Sequence, residues 1–233
     1  MKTKLLTIAM TAALMLTAMT KVQAQNFDGP CLPPSHGLVD HQSAFCSAMQ
    51  VIALVNGFNW VSFNVDITLD DLKAALVDAM PGATSIKIQS KDKSVTYNGS
   101  RWRGQLTTLS VEQMYKIETQ AECEITLEGM PLNPADHPIT INAGSTWIGF
   151  PFAANMSLTD AFTGFAVSGD KVSAKGQSAS YNGTHWRGPL DTLVPGQGYV
   201  FESATDRTFV YPTGSSKAAP APNKERLYPI LEK

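Results

Sequence analysis

Two short stretches of the chain, YNGSRWRG and YNGTHWRG, place aromatic and basic side chains around an Asn-Gly turn. A planar aromatic ring stacks well on the apolar face of a sugar ring, and arginine, histidine or asparagine can hydrogen-bond the hydroxyls around it. This combination is the chemistry of a glycan-binding module. The residues predicted to bind ligand are therefore Tyr97, Trp102, Arg103, Tyr181, His185, Trp186 and Arg187.

The same side chains have a structural interpretation. Rings that flank a turn can pair across two strands, and a buried Trp or Tyr removes ~150–250 Å² from water, so packing is the commoner role for any one ring. Arg103 and Arg187 could grip a carboxylate on a partner or an acidic sugar. They could equally pair with Glu118 or Glu202, or stack on the neighbouring Trp. Two further tryptophans, Trp60 and Trp147, lie among alternating apolar residues and are predicted to be core.

The cysteines and histidines near the N-terminus allow two arrangements. Two Cys and two His can form a closed zinc site, and these four are evenly spaced: Cys31, His36, His41 and Cys46. In an exported protein the two cysteines oxidise more readily to each other, so a Cys31–Cys46 disulfide is the favoured prediction and no metal or cofactor is expected. Cys123 is left over and is expected to be a small buried apolar residue.

No catalytic set stands out in the sequence. The four histidines, including His137 and His185, lie in no nucleophile-elbow or metalloprotease motif. Carboxylates such as Asp70, Asp71, Glu122 and Glu124 fit a helix start or a strand surface. No acid pair recurs in a way that suggests glycoside hydrolysis. The protein is predicted to be non-catalytic.

The N-terminus and the composition point to export. Residues 1–24 combine a positive start, an apolar run and a small-residue cleavage site, which together are typical of a secretory signal peptide. The 233-residue chain has a net charge of −2 and no basic run, so nucleic acid is not an expected partner. No second long apolar run is present, and no transmembrane segment is expected in the mature chain. The predicted location is the periplasm, the cell surface or the extracellular space.

The elements that carry these residues occur twice. Trp60 matches Trp147 and Trp102 matches Trp186, so all four tryptophans fall in pairs, and the period of about 85 residues indicates a tandem duplication. Each copy reads as strands, one short helix and Asn-Gly hairpins; Thr68 is the predicted N-cap of the first helix, and SLTDAFTGF forms a weaker second one. The predicted class is mostly β (α+β), with two homologous antiparallel modules. The predicted segments are a signal peptide at 1–24, a loop-rich cap at 25–48, modules at 49–133 and 134–214, and a flexible tail at 215–233.

The repeated pattern resembles a known type of module. W-(V/I)-(S/G)-F, then Y-N-G-x-x-W-R-G-x-L-x-x-L, then P-G-Q-G-Y, is similar to tandem repeats of secreted and surface proteins of Bacteroidetes-type bacteria. The resemblance covers about residues 49–214. It implies an accessory module at the cell surface and transfers no activity. The first copy has SVEQM where the second has VPGQG, so only the second copy keeps the full pattern.

The sequence therefore predicts an exported binding protein that recognises a glycan or an envelope partner through aromatics and arginines at the repeat hairpins. The first alternative is a protein-interaction or adhesion subunit that uses an exposed sheet edge or an apolar patch. The second is a secreted hydrolase, which would need a deep pocket with convergent polar groups. The oligomeric state does not follow from the sequence.

Overall fold

A computed structural model describes residues 47–212 of the chain. Several sequence predictions lie outside this range: the signal peptide, the N-terminal cap before Ser47, the Cys31–Cys46 disulfide, the zinc alternative with His36 and His41, and the C-terminal tail. For clarity, residues 47–133 are called the N-terminal half and residues 134–212 the C-terminal half.

The N-terminal half contains eight strands and one helix. In chain order these are β1 (Ala48–Leu54), β2 (Gly57–Val61), β3 (Val65–Asp66), α1 (Leu69–Ala79), β4 (Ile86–Gln89), β5 (Ser94–Tyr97), β6 (Trp102–Gly104), β7 (Tyr115–Thr119) and β8 (Cys123–Pro131).

The C-terminal half begins with one turn of 3-10 helix at Pro134–Asp136 and contains nine strands and one short helix. They are β9 (Ile139–Ile141), β10 (Gly144–Ile148), β11 (Met156–Ser157), α2 (Leu158–Ala161), β12 (Lys171–Ala174), β13 (Gln177–Tyr181), β14 (Trp186–Arg187), β15 (Thr192–Leu193), β16 (Tyr199–Ser203) and β17 (Arg207–Phe209).

Each half is built on a five-stranded antiparallel sheet, and the two sheets have corresponding strand orders. The order is β2-β7-β4-β5-β6 in the N-terminal half and β10-β16-β12-β13-β14 in the C-terminal half. The registers also correspond: Val61 pairs with Tyr115 as Ile148 pairs with Tyr199. A smaller sheet, β1-β8-β3, has its counterpart in the pair β9-β17. The predicted class, mostly β with two short helices, is confirmed.

The first helix forms where the sequence predicts it because its start is capped. The Thr68 side chain accepts a hydrogen bond from the Asp71 backbone N–H, and the Asp71 carboxylate accepts one from the Thr68 backbone in return. Leu69, Leu72 and Leu76 are buried at helical spacing. The second helix starts in the same way, with Ser157 accepting from the Asp160 N–H, but it lasts only four residues.

Two separate apolar cores lie inside the described region, one in each half. The larger rings are concentrated in the C-terminal core, where Phe162 and Phe209 stack with their centroids 5.0 Å apart. The described residues nevertheless belong to one compact unit of the chain. The division into two homologous modules at residues 133 and 134 therefore stays a prediction.

The glycine of each Trp-Arg-Gly motif has a steric role. Gly104 has a φ of +153°, and a Cβ on it would lie 2.1 Å from the Ser94 carbonyl oxygen. Gly188 has a φ of +143°, and its Cβ would lie 2.2 Å from the Ser178 carbonyl oxygen. Both contacts are with backbone atoms of the neighbouring hairpin strand, which cannot swing away as a side chain can. Any other residue at these positions would push the strands apart.

We therefore expect Gly104→Ala and Gly188→Ala each to lower the free energy of unfolding by about 1–3 kcal/mol, measured by urea titration. Gly176→Asn is the matched control, because Gly176 also has positive φ but meets no atom within 4 Å. Asn tolerates this conformation, so Gly176→Asn should lower the free energy of unfolding by only ~0.5 kcal/mol. Equal losses in the alanine variants and the control would show that the close approach does not matter.

Candidate functional site

The two halves contact each other through backbone hydrogen bonds at equivalent positions. The Ser62 N–H donates to the Gly196 carbonyl at 3.1 Å, and the Gly149 N–H, from the equivalent place in the C-terminal half, donates to the Glu112 carbonyl at 2.9 Å. Val61 and Gln197 add a single β-bridge. Each half thus donates one hydrogen bond to the other and accepts an equivalent one from it, as in a two-fold symmetric dimer.

Two lysines repeat this reciprocity. The Lys91 ammonium donates to the Ser145 carbonyl oxygen at 2.7 Å, and the Lys175 ammonium donates to the Phe58 carbonyl oxygen. Both lysines lie in the turn of the second hairpin of their own half, and both reach the Trp-bearing strand of the other half. The turn of one half is thereby placed beside the tryptophan of the other.

Trp60 and Trp147, here called the indole pair, lie side by side on the outer face of the two large sheets. The ammonium of Lys116 lies 5.2 Å from the Trp60 ring centroid and 4.7 Å from the Trp147 centroid. Both rings are half-buried, and neither belongs to an apolar core. The prediction that they are core residues is wrong. The C-terminal half has Val200 where the N-terminal half has Lys116, so one ammonium serves both rings.

A turn-capping side chain explains why the indoles face outward. Asn59, next to Trp60, is buried and bonds the Val55 backbone in both directions: it accepts from the N–H at 2.9 Å and donates to the carbonyl at 2.8 Å. Thr146, next to Trp147, accepts from the Asn142 N–H at 2.9 Å. Because alternate residues of a strand face opposite sides, the inward Asn59 and Thr146 place both indoles outside.

A cleft of about 280 Å³ lies beside Trp147, and its walls are polar. The second-hairpin turn of the N-terminal half contributes Lys91 and Asp92, and the loop before β7 contributes Gln113. Asn142 comes from the turn that precedes β10. These groups offer both donors and acceptors next to an aromatic face.

The equivalent cleft beside Trp60 has a volume of about 350 Å³, and most of the residues that line it are apolar. Val51 and Val55 come from β1 and its end, and Val194 and Pro195 come from the opposing loop. Lys175 occupies the position that Lys91 has beside Trp147. The two clefts thus share one architecture but differ in chemistry.

The aromatic residues predicted from sequence are brought together in two cross-strand pairs. Tyr97 faces Trp102 with ring centroids 5.3 Å apart, and Tyr181 faces Trp186 at 5.2 Å. All four rings are half-buried, and Trp186 also packs on Phe162 of the C-terminal core. Their contacts are those of hairpin packing. Ligand binding at these rings stays a prediction.

The predicted arginines do not join these rings on one platform. Arg103 pairs with Thr96 and Arg187 with Ser180, one position along from the ring pairs, so their side chains lie on the opposite face of each hairpin. Both arginines are exposed. Within residues 47–212 neither makes a salt bridge; Glu202 bonds Lys171 instead, at 3.3 Å.

His185 and the Asn-Gly turns have local roles. The Asn182 side-chain oxygen accepts hydrogen bonds from the Thr184 and His185 backbone N–H groups at 3.0 and 2.9 Å. Asn98 does the same for Ser100 and Arg101. These side chains therefore close the turns. His185 is exposed at the tip, where its Nδ1 lies 2.9 Å from the Thr184 hydroxyl.

Glu112 makes two side-chain polar contacts at the boundary between the halves. Its carboxylate lies 2.8 Å from His137 Nδ1 and accepts a short hydrogen bond from the Ser110 hydroxyl. Partial burial raises the pKa of Glu112, but the hydrogen bonds from Ser110 and His137 outweigh it and hold the pKa below its ordinary value of 4.5.

A depressed carboxyl pKa makes stability fall in acid. Glu112 contributes stability above pH 4.5, and this contribution is lost as the pH falls through the lower pKa of the folded state. We expect wild type to exceed Glu112→Gln in unfolding free energy near neutral pH, and the difference to shrink toward about pH 3. Urea titrations at several pH values measure it. A difference that stays constant with pH would contradict this assignment.

Cys123 is the one cysteine among residues 47–212 and is unpaired there. It is partly buried against the N-terminal core, and burial raises the pKa of its thiol. No helix in the described region is long and apolar enough to cross a membrane. The same residues contain no group of three or more His, Cys, Asp or Glu side chains arranged to hold a metal ion.

Comparisons with protein-family models, curated proteins and solved structures found no significant match to the chain. The resemblance to Bacteroidetes repeats stays a prediction.

Proposed function

We propose that this chain is a non-catalytic carbohydrate-binding protein and that a saccharide lies across the indole pair. The observation that carries the proposal is the position of Trp60 and Trp147: two large rings outside both cores, beside one shared ammonium. An indole that is partly buried but outside both cores contributes little to core packing. On a binding surface it is among the side chains that contribute most free energy.

The geometry suits sugar rings in particular. The face of an indole carries partial negative charge and attracts polarised C–H groups such as those on one face of a pyranose. Because the indole centroids lie 5.2 and 4.7 Å from the Lys116 ammonium, the two indoles are close to each other. Neighbouring sugar rings of one saccharide can therefore contact both. The Lys116 ammonium lies over both indole rings and has three N–H donors for hydroxyl or acidic oxygens.

The flanking clefts supply the polar contacts that fix orientation. Beside Trp147, Asp92 can accept from hydroxyls, while Gln113 and Asn142 can both donate and accept. The volumes of about 280 and 350 Å³ lie just below and at the low end of the ~300–1,000 Å³ range for small-molecule pockets. Each cleft suits one ring of a chain that continues over the surface.

This role agrees with the predicted signal peptide and with the periplasmic, surface or extracellular location expected from it. A glycan array probed with the full-length mature chain tests the proposal. We expect retention on at least one carbohydrate class, abolished in the double variant Trp60→Ala/Trp147→Ala. Retention that survives this double change would place the site elsewhere, and retention on no carbohydrate would refute the function.

A second function, binding to another protein, is favoured by the outer face of β1. This strand lies at the edge of its sheet, and Met49, Val51 and Val55 are 69%, 54% and 47% exposed. Phe58 on β2 is 48% exposed. An exposed apolar edge strand can accept a strand from a partner chain.

Lysine on this strand would block such pairing. A pull-down from envelope extract with wild type and Val51→Lys compares the two. Proteins retained by wild type and lost with the variant would support the protein-binding alternative. Equal retention would exclude the outer face of β1 as the contact.

A further inference from the structure

Three lysines lie around the indole pair. Lys116 lies over both rings, Lys175 lines the cleft beside Trp60, and Lys91 lines the cleft beside Trp147. In the region from Ser47 to Pro212, none of the three has a carboxylate oxygen within 4.0 Å, although the whole chain is net negative. An ammonium group without an internal carboxylate partner suits an anionic ligand.

The two clefts differ in whether carboxylates accompany the lysine. The cleft beside Trp147 contains the Asp92 and Glu112 carboxylates as well as Lys91. At the positions equivalent to Asp92 and Glu112 the C-terminal half has Gly176 and Gly196. Among the described residues that line the cleft beside Trp60, Lys175 is therefore the one charged side chain.

We infer that the ligand is an acidic saccharide and that its anionic group binds on the Trp60 side, between Lys116 and Lys175. This inference depends on the proposed carbohydrate-binding function and adds the ligand class and its orientation. The Trp147 side takes a neutral ring, because Asp92 repels a second anion and its oxygens accept from hydroxyls.

The surroundings of Lys175 strengthen this pairing. One of its three N–H donors bonds the Phe58 carbonyl, which leaves two for a carboxylate or sulfate. Val51, Val55 and Val194 line the same cleft and place apolar surface beside this ammonium. An ion pair in less polar surroundings is stronger than one in bulk water, and salt screens it less.

Lys91 and Lys175 make a matched pair for the experiment. Each bonds a carbonyl of the other half at an equivalent position, so Lys91→Gln and Lys175→Gln remove the same structural contact. The probes are acidic glycans printed beside their neutral forms: polygalacturonate beside its methyl ester, and sulfated beside desulfated polysaccharides. Affinities of the full-length mature chain and both variants are then measured for the best acidic probe and its neutral partner.

We expect wild type to bind the acidic form about tenfold or more tightly than the neutral one. Lys175→Gln should remove most of this preference, whereas Lys91→Gln, in the cleft that takes the neutral ring, should weaken the binding of both forms by a similar factor. Equal binding of both forms, with loss of both in Trp60→Ala/Trp147→Ala, would refute the acidic ligand and leave carbohydrate binding intact. Equal effects of the two glutamine variants would refute the orientation. Retention on no glycan would overturn this inference and the proposed function together.

Discussion

The double variant Trp60→Ala/Trp147→Ala is expected to bind its saccharide at least about 100-fold more weakly than wild type, while its fold stays intact. Central aromatic residues of a binding surface cost ~2 kcal/mol or more each when truncated, and ~1.4 kcal/mol corresponds to a factor of ten in affinity. The fold should persist because both rings lie outside the apolar cores. Calorimetric titration gives the affinities, and circular dichroism checks the fold.

Two matched controls sharpen this test. Phe58→Ala removes an exposed ring from the same strand as Trp60 and should leave affinity nearly unchanged. Arg187→Gln changes a residue that the sequence predicts as ligand-binding but that lies on the far face of its hairpin from Tyr181 and Trp186. If Arg187→Gln weakened binding as much as the double variant, the site would be the repeat hairpin and not the indole pair.

Asp170→Asn is expected to cause the largest loss of stability, about 3–5 kcal/mol, because it leaves the largely buried guanidinium of Arg207 without its carboxylate partner. Asp170 is 1% exposed and accepts a 2.6 Å hydrogen bond from Arg207. That guanidinium also donates to the Phe165 carbonyl and stacks on its ring, so it cannot easily turn to solvent. Urea unfolding measures the loss as a lower midpoint.

The neighbouring residue provides the control for this loss. Lys171→Gln breaks the more exposed pair with Glu202, and such pairs contribute ~0–1 kcal/mol. Removing both charges, as in Asp170→Ile/Arg207→Met, should recover part of the stability; the N-terminal half has Ile86 and Cys123 at these positions. A loss in Asp170→Asn no larger than that in Lys171→Gln would show that the buried pair is not needed for stability.

Local signals predicted much of the fold. Thr68 marked the start of α1, and the Asn-Gly dipeptides marked hairpins whose flanking rings pair across the strands. These features depend on capping and turn chemistry within a few residues, which a sequence displays directly. The Gly of Trp-Arg-Gly was visible as a repeated residue, but its reason, a neighbouring carbonyl, required the strand pairing.

The candidate site was not predictable from local patterns. In GFNWV, apolar Phe58 and Trp60 alternate with Asn59 and Val61, and hydrophobicity alone places the aromatic face inside. The Asn59 side chain instead lies inside, where it bonds the Val55 backbone, and the two aromatic rings lie outside. The signal available in the sequence was the turn-bonding residue before each Trp, Asn59 and Thr146. The contact between the halves, which adds Lys116, involves residues distant in the chain.

The most direct test follows the indole N–H signals of the four tryptophans by two-dimensional NMR while saccharide is added. Single Trp→Phe variants assign the four signals. The account predicts that the Trp60 and Trp147 signals shift together and saturate with the ligand, while those of Trp102 and Trp186 move little. Shifts confined to Trp102 and Trp186 would contradict it.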